Sequence, residues 1–367
     1  DTGTAPCKTA CPAHIAVQGY LKLAAQGKYR EALQLIKREN PFPAVCGRIC
    51  NRRCEDACTR GTVDQAVAID EVKRFIAQQD LDAATRFVPE KVIPKVDGAF
   101  DQQIAIIGGG PAGLSCAYYL AEKGYRPTVF EKERRLGGML ENGLPSFRLE
   151  KDVVQAEIDV LREMGVQFRC GVEVGKDVTI AQLREQGYQG FYVAVGLQSG
   201  GRLNIPGDDA QGVTAGIDFM RRVNGGQETK LEGRVVVIGG GNIAADVART
   251  AVRCGAESVD LYCLESYDDM PMGPEDRGEC ERDGITIHAG WGQTEIVTEN
   301  GHAAGIRFRK CLRVKNDQGR FAPEFDDNDT CQAQCAAVLY CIGQKVDWRQ
   351  LLTGTAVTFN PNGGTFE

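Results

Sequence analysis

The feature that most constrains the fold is the stretch from Gln103 to Glu133, QIAIIGGGPAGLSCAYYLAEKGYRPTVFEKE. The apolar run Ile104–Ile107 predicts a buried parallel strand, and it leads directly into a glycine-rich turn. Leu114–Lys123 has the apolar spacing of a helix, and a second strand at Pro127–Phe130 delivers Glu131. This order of strand, turn, helix, strand and terminal acid is the fingerprint of a dinucleotide-binding site, and it disfavours an ordinary glycine turn before a helix.

The residues of this fingerprint have separate roles. Gly108 permits the tight turn, Gly110 lets the backbone approach a pyrophosphate, and Gly113 lets the helix pack on the strand. The helix N-terminus offers N–H groups to phosphates, and Glu131 can accept hydrogen bonds from ribose hydroxyls. The paired glycines of Leu136-Gly137-Gly138-Met139 allow close approach to a flat ring system.

The fingerprint recurs later in the chain. Val235–Ile238 predicts a strand, Gly239-Gly240-Gly241-Asn242-Ile243-Ala244 the turn, and Ala245–Arg253 a helix. A strand at Ser258–Leu264 then ends at Glu265, and alanine replaces the third glycine. Two fingerprints in one chain predict one site for a flavin nucleotide and one for a nicotinamide nucleotide.

The end of the second strand predicts which nicotinamide cofactor is used. An acid at this position favours the 2′-hydroxyl of NADH, whereas arginine accommodates the 2′-phosphate of NADPH. The strand ends at Leu264-Glu265, and the next arginine is Arg277. A phosphate beside Glu265 would meet like charge. We therefore expect NADH to be preferred over NADPH.

Residues 1–88 are predicted to be helical and carry two groups of cysteines. The first is Cys7-x3-Cys11-Pro12, and the second is Cys46-x3-Cys50-x3-Cys54-x3-Cys58. Closely spaced thiolates favour an iron–sulfur cluster. Zinc would also accept four thiolates, and a helix burying a cysteine face would show the same spacing of four. A later pair, Cys331-x3-Cys335, is expected to be structural.

Composition narrows the class of protein. The chain has fifteen cysteines and no visible secretory signal, which predicts reduced thiols and a cytoplasmic protein. A net charge of -7 argues against nucleic acid as a partner, and no apolar run reaches the roughly 20 residues that span a membrane. Three histidines leave little room for a histidine metal site.

The expected fold class is α/β, with two Rossmann-like dinucleotide-binding domains of the glutathione-reductase type after an all-α iron–sulfur domain. The predicted domains are a helical cluster domain at 1–88, a linker at 89–99, a flavin domain at 100–215, a nicotinamide domain at 216–343, and the incomplete start of a return to the flavin domain at 344–367.

The segments NPFPAVCGRIC, GGGPAGLSCAYYL, LPSFRLEKDV, VEVGKDV and VVVIGGGNIAADVART together resemble the small-subunit family of glutamate synthase. Similar modules occur in the N-terminal half of dihydropyrimidine dehydrogenase and in electron-bifurcating NADH/NADPH–ferredoxin complexes. The resemblance covers essentially the whole chain.

The resemblance implies three cofactors. FAD would be held by Gly108, Gly110, Pro111, Ala112, Gly113, Glu131, Lys132, Gly138, Met139, Arg148, Val174 and Gly196. A nicotinamide nucleotide would lie on Gly239, Gly241, Asn242, Ile243, Ala244, Leu264 and Glu265, with Gly343 near both nucleotides. One 4Fe-4S cluster would be held by four of Cys7, Cys11, Cys46, Cys50, Cys54 and Cys58.

The sequence departs from this family in three places. An upstream Cys-x2-Cys is absent, and Lys73 stands where relatives have a Glu or Gln ligand, so one cluster is expected where relatives have two. NADPH-using relatives carry an arginine pair where this chain has Leu264 and Glu265. Relatives return to the flavin domain with a Gly-Asp motif that completes the flavin site, and this sequence ends before that point.

The function expected from these observations is oxidation of NADH (or NADPH) by an FAD-containing subunit that passes electrons through a 4Fe-4S cluster to a partner subunit in a hetero-oligomer. No side chain is assigned as a catalytic acid or base. A non-catalytic assembly subunit is the first alternative. A disulfide reductase is the second, although Leu136–Pro145 contains no cysteine beside the predicted flavin.

Overall fold

The computed structural model describes residues 4–90, 100, 102–227, 229–346 and 349–358, which form two units. The first unit contains the described residues up to Glu141, Ser146–Gly196 and 349–358. The second contains Asn142–Pro145 and Leu197–Val346. The structure thus divides after Gly196, whereas the predicted boundary after residue 215 stays a prediction. Most of the predicted linker, residues 91–99, lies outside the described residues.

The N-terminal part of the first unit is helical, as the sequence predicts. Its helices are α1 Pro6–Ala10, α2 Val17–Ala25, α3 Tyr29–Lys37, α4 Pro43–Ile49, α5 Arg53–Asp56 and α6 Ile69–Ala77. Apolar residues at helical spacing on α3 and α6, among them Leu33, Ile36 and Ile76, are fully buried in one small core around Tyr20.

The second cysteine group does not lie on one continuous helix. Helix α4 ends at Ile49, and Cys50 has extended backbone. Arg52 takes the left-handed conformation with φ 54°, which a helix interior does not accept, and α5 starts afresh at Arg53. The alternative of a single helix burying a cysteine face is therefore wrong.

The rest of the first unit is a parallel αβ layer. Its elements are β1 Gln103–Ile107, α7 Pro111–Glu122, β2 Arg126–Glu131, α8 Met139–Asn142, α9 Lys151–Glu163, β3 Gln167–Cys170, α10 Ile180–Glu185 and β4 Tyr188–Val193. The strand order is β3-β2-β1-β4, so the first glycine turn follows a central strand. Strand β3 ends at Cys170 because Gly171 turns the chain with φ 74°.

The second unit contains a five-stranded parallel sheet in the order β6-β13-β7-β8-β9. Its elements are β5 Ser199–Gly200, β6 Val213–Ala215, α11 Gly216–Asn224, β7 Arg234–Ile238, α12 Asn242–Arg253, β8 Ser258–Cys263, α13 Pro274–Arg282, β9 Thr286–Ala289, β10 Trp291–Glu299, β11 His302–Lys315, β12 Phe321–Gln334, β13 Ala337–Tyr340 and β14 Gln344–Lys345. The antiparallel strands β10, β11 and β12 form a separate sheet between β9 and β13 in the chain. The second glycine turn follows β7, which lies at the centre of the parallel sheet.

In the described part of the chain, no helix has both the length and the apolar character needed to cross a membrane.

Candidate cofactor sites

The first glycine turn requires glycine for steric reasons. Gly108 has φ 110°, and a Cβ there would lie 2.4 Å from the carbonyl oxygen of Ala194 on the neighbouring strand connection. A Cβ on Gly113 would lie 2.0 Å from the carbonyl oxygen of Gly108. Helix α7 therefore packs against the turn at a distance that only glycine permits, as the fingerprint predicts.

Glu131, the acid of the first fingerprint, is buried and tied to the turn. Its Oε2 accepts a hydrogen bond from the Gly109 N–H at 2.6 Å, and its Oε1 accepts from the Glu133 N–H at 2.9 Å. The carboxylate thus lies beside the glycine turn, where the fingerprint places the ribose of a dinucleotide.

A second glycine pair covers this turn. The Gly137 N–H donates to the carbonyl oxygen of Gly109 at 2.8 Å. Gly138 has φ 55°, and a Cβ there would lie 2.7 Å from the Cα of Gly110. We call residues 136–139 the covering loop. Helix α7 begins after Gly110 with no side-chain cap on its N–H groups. A glycine cradle closed by a glycine loop fits the pyrophosphate of a dinucleotide.

The other predicted FAD residues fall at several points of the first unit. Pro111 and Ala112 are exposed at the start of α7, and Lys132 is exposed just after β2. Arg148 is half-buried before α9, and Val174 is buried and bridges to Val178. Met139 is the first residue of α8. Gly196 has φ 63° and is the last residue of the segment Ser146–Gly196 of the first unit. Their contacts with FAD stay predictions.

The second glycine turn resembles the first in backbone conformation but leaves more space around Gly241. Gly239 has φ 140°, and a Cβ there would lie 2.8 Å from the carbonyl oxygen of Cys341. For Gly241, no heavy atom of the described residues lies within 4 Å of the position that a Cβ would take. Ala244 replaces the third glycine and is fully buried on α12.

Glu265 lies beside the second turn. A Cβ on Gly240 would lie 2.8 Å from its Oε2. The acid therefore reaches the same place as Glu131 does at the first turn. Leu264 is half-buried, and its Cδ2 packs over Gly292.

A segment that the sequence did not single out borders this second site. The Met272 N–H donates to the carbonyl oxygen of Gly240 at 2.8 Å, and the Gly273 N–H donates to Asn242 Oδ1 at 3.1 Å. Ile243 is exposed beside Asn242 at the start of α12. The predicted Gly343 has φ 57° and accepts through its carbonyl oxygen from the Gly201 N–H at 3.1 Å.

Three of the predicted cluster cysteines border the helical core. Cys7 and Cys11, at α1, and Cys54, on α5, pack against the apolar residues around Tyr20. Burial raises the pKa of Tyr20, and the charges of Cys54, Asp70, Cys11 and Cys7 raise it further. These three thiols therefore lie against the same helical core.

The other cysteines lie around Lys73 and the end of α5. Burial raises the pKa of Cys46 to about 11 although Lys73 lowers it, and burial with Cys50 raises that of Cys54 to about 11. The backbone N–H of Val67 instead lowers the pKa of Cys58. Lys73 itself is buried and pairs with Asp70 at 2.5 Å.

All six thiols are free and half-buried. In the described residues, no three His, Cys, Asp or Glu side chains are arranged to hold a metal ion. The donor chemistry fits an iron–sulfur cluster, because thiolates are its ligands and these six belong to one small helical region. Lys73 offers an ammonium, which has no lone pair to give to iron, so it does not fit as a ligand.

Glu157 is the buried residue that sequence reasoning missed. Its Oε1 and Oε2 accept hydrogen bonds from the N–H groups of Ala44 and Val45, both at 2.8 Å. Burial raises the pKa of Glu157 to about 8, although these two N–H groups lower it. The available signal was an acid within the apolar face of α9, next to Ile158.

Residues 102–366 match the pyridine nucleotide-disulphide oxidoreductase family, and residues 2–85 match the family described as dihydropyrimidine dehydrogenase domain II, 4Fe-4S cluster. Fold and sites thus define a pyridine-nucleotide flavoprotein with an iron–sulfur domain. FAD, a nicotinamide nucleotide and a 4Fe-4S cluster are the cofactors of this class, as predicted.

Curated relatives give the particular family. The glutamate synthase [NADPH] small chain of Halomonas elongata is 36% identical over 88% of this chain and 70% of its own length. The chain belongs to this family of flavin and iron–sulfur oxidoreductases. The beta subunit of the NADP(+)-dependent formate dehydrogenase of Moorella thermoacetica is 36% identical over 94% of this chain and 51% of its own length. The chain thus spans about half the length of that relative.

Solved structures support the fold alone. FprA from Mycobacterium tuberculosis superposes with a TM-score of 0.61 at 18% identity, over 72% of this chain and 75% of its own. Histamine dehydrogenase from a Rhizobium species gives a TM-score of 0.56 at 18% identity, over 92% of this chain and 47% of its own.

Proposed function

We propose that this protein is the electron-input subunit of a redox complex, which oxidises NADH and delivers electrons through one 4Fe-4S cluster to a partner subunit. A bound FAD would supply the chemistry that converts a two-electron hydride transfer from the nicotinamide into one-electron transfers to a cluster. The chain's own residues bind and orient: the two glycine turns hold the nucleotides, and the cysteines hold the cluster.

The observation that carries the proposal is that the cysteine-bearing helices and the first nucleotide site belong to the same structural unit. Helix α4, which bears Cys46, is hydrogen-bonded to α9 through Glu157, and Arg48 Nε donates to Glu150 Oε2 at 2.6 Å. A cluster domain that packs against the flavin domain can accept electrons from the flavin and pass them on. The subunit names of the relatives support a partner as the destination.

The proposal includes a preference for NADH. Glu265 lies beside Gly240, where a carboxylate suits the ribose 2′-hydroxyl and repels a 2′-phosphate. The names of the relatives point instead to NADP(H). Steady-state kinetics decide between the two: we expect a higher kcat/KM with NADH than with NADPH. A higher kcat/KM with NADPH would overturn the preference without affecting the electron-input role.

Anaerobic mixing of the purified, reconstituted protein with NADH tests the electron-input role. We expect the yellow flavin absorbance to bleach at least as fast as the enzyme turns over. A flavin that stays oxidised with both NADH and NADPH would contradict the proposal and favour the assembly role.

A further inference from the structure

We propose that helix α9 sets the separation between the flavin site and the cysteine-bearing helix α4, and that Glu157 is the positioning residue that fixes it. The proposal rests on the electron-input function proposed above. It assigns a role to a buried acid whose hydrogen bonds, in the part of the chain that the structure describes, go to two backbone N–H groups of α4 and not to a glycine turn or a cysteine.

One face of α9 holds the covering loop of the first nucleotide site. Gln155 Nε2 donates to the carbonyl oxygen of Leu136 at 3.0 Å, and Lys151 Nζ donates to the carbonyl oxygen of Leu140 at 2.9 Å. A Cβ on Gly137 would lie 3.1 Å from Cγ1 of Val154. The loop that covers the glycine turn therefore lies directly on this helix.

Another part of α9 holds α4. Glu157 is fully buried and accepts from two successive backbone N–H groups in the first turn of α4, immediately before Cys46. Both carboxylate oxygens are used, so the position and the rotation of α4 are fixed together. Gln155 and Glu157 are two residues apart, so the loop and the cysteine helix are mounted on neighbouring positions of one rigid element.

Other contacts also hold the helical region against the αβ layer. Arg48, on α4, is almost buried and pairs with Glu150 at 2.6 Å. The Tyr118 hydroxyl, on α7, donates to the carbonyl oxygen of Lys37 at 3.3 Å, and Lys37 pairs with buried Asp80. These contacts hold the helical region from the side, whereas Glu157 accepts from two successive backbone N–H groups of α4 directly in front of Cys46.

The physical consequence concerns electron transfer more than nucleotide binding. Transfer of one electron from a reduced flavin to a cluster would oxidise the flavin by one electron and reduce the cluster by one electron, and its rate would fall steeply as the distance between the two groups grows. Neither glycine turn contains a residue of α4, so hydride uptake from NADH should not depend on this helix. Loss of the Glu157 contacts should therefore slow cluster reduction and leave flavin reduction unchanged.

Glu157→Gln in the full chain tests the positioning role. The NH₂ group of the glutamine side chain would face one of the two backbone N–H groups, and because both are donors, that hydrogen bond would be lost. We expect the Ala44 and Val45 amides to exchange hydrogen faster, even without cofactors. In anaerobic rapid mixing with NADH, the rate of flavin bleaching should stay the same. The EPR signal of the reduced cluster, followed by freeze-quench, should form at least about tenfold more slowly, because a small displacement of one reacting group can cost this much in rate.

Asp152→Asn is the matched control, because Asp152 lies on the first turn of the same helix and its Oδ1 accepts from the adjacent Val153 N–H at 3.0 Å, a contact within α9 itself. It should leave both rates unchanged. Glu157→Asp keeps the charge and withdraws the carboxylate by one methylene, so it provides a second variant if Glu157→Gln fails to fold.

The outcomes are distinguishable. Wild-type cluster reduction rates in a folded Glu157 variant would overturn the positioning role. A wild-type protein whose flavin bleaches but whose cluster stays oxidised would overturn the proposed function itself.

Discussion

The two glycine turns share a fingerprint but differ in how closed they are. At the first, the covering loop brings Gly138 against Gly110, and α7 packs at a distance that admits no methyl group at Gly113. At the second, the space beside Gly241 is open within the described residues, and the methyl of Ala244 is accommodated. The difference suits a retained flavin at the first turn and an exchanging nicotinamide at the second.

The largest contrast is expected at the third glycine position. Gly113→Ala places a methyl group 2.0 Å from the Gly108 carbonyl oxygen, so we expect a loss of about 3 kcal/mol of stability and of bound flavin. Ala244→Gly, its counterpart, should cost only about 1 kcal/mol and keep the flavin. Thermal unfolding and flavin content after purification measure both. Full flavin content in Gly113→Ala would break the comparison.

A smaller contrast is expected between the two acids. Glu131 accepts from two backbone N–H groups, so Glu131→Gln should reduce the free energy of unfolding by about 2 kcal/mol. Glu265→Gln should leave the unfolding free energy unchanged and weaken NADH binding instead. Denaturant unfolding and NADH titration separate the two effects. Equal destabilisation by both substitutions would show that the acids have the same structural role.

The smallest expected effect concerns the second glycine of each turn. Gly241 has extended backbone with φ -102°, so Gly241→Ala should fold normally and fill the space meant for a pyrophosphate. We expect the Kd for NADH to rise about tenfold, equivalent to ~1.4 kcal/mol. Gly110→Ala should instead reduce flavin retention. Unchanged NADH affinity in Gly241→Ala would place the nicotinamide nucleotide elsewhere.

Sequence reasoning predicted both strand–turn–helix units because their signals are local. The glycines, the apolar runs and the terminal acids all lie within short stretches, and the strand bounds agree to within one or two residues. The family resemblance added the identity of the cofactors.

The remaining features depend on contacts between distant parts of the chain. The position of β13 between β6 and β7 follows from pairing across more than a hundred residues, which no local pattern encodes. The break in the cysteine series depends on the backbone conformations of two residues, Cys50 and Arg52. The Glu157 joint brings together residues from the helical region and the αβ layer.

The most direct test of the electron relay is anaerobic reduction of the full-length protein by NADH, followed by optical spectroscopy and freeze-quench EPR on the same samples. The account predicts that the flavin bleaches first and that the signal of a reduced 4Fe-4S cluster follows, with no added mediator. A cluster that remains oxidised after the flavin is fully reduced, or a protein that binds no cluster, would contradict it.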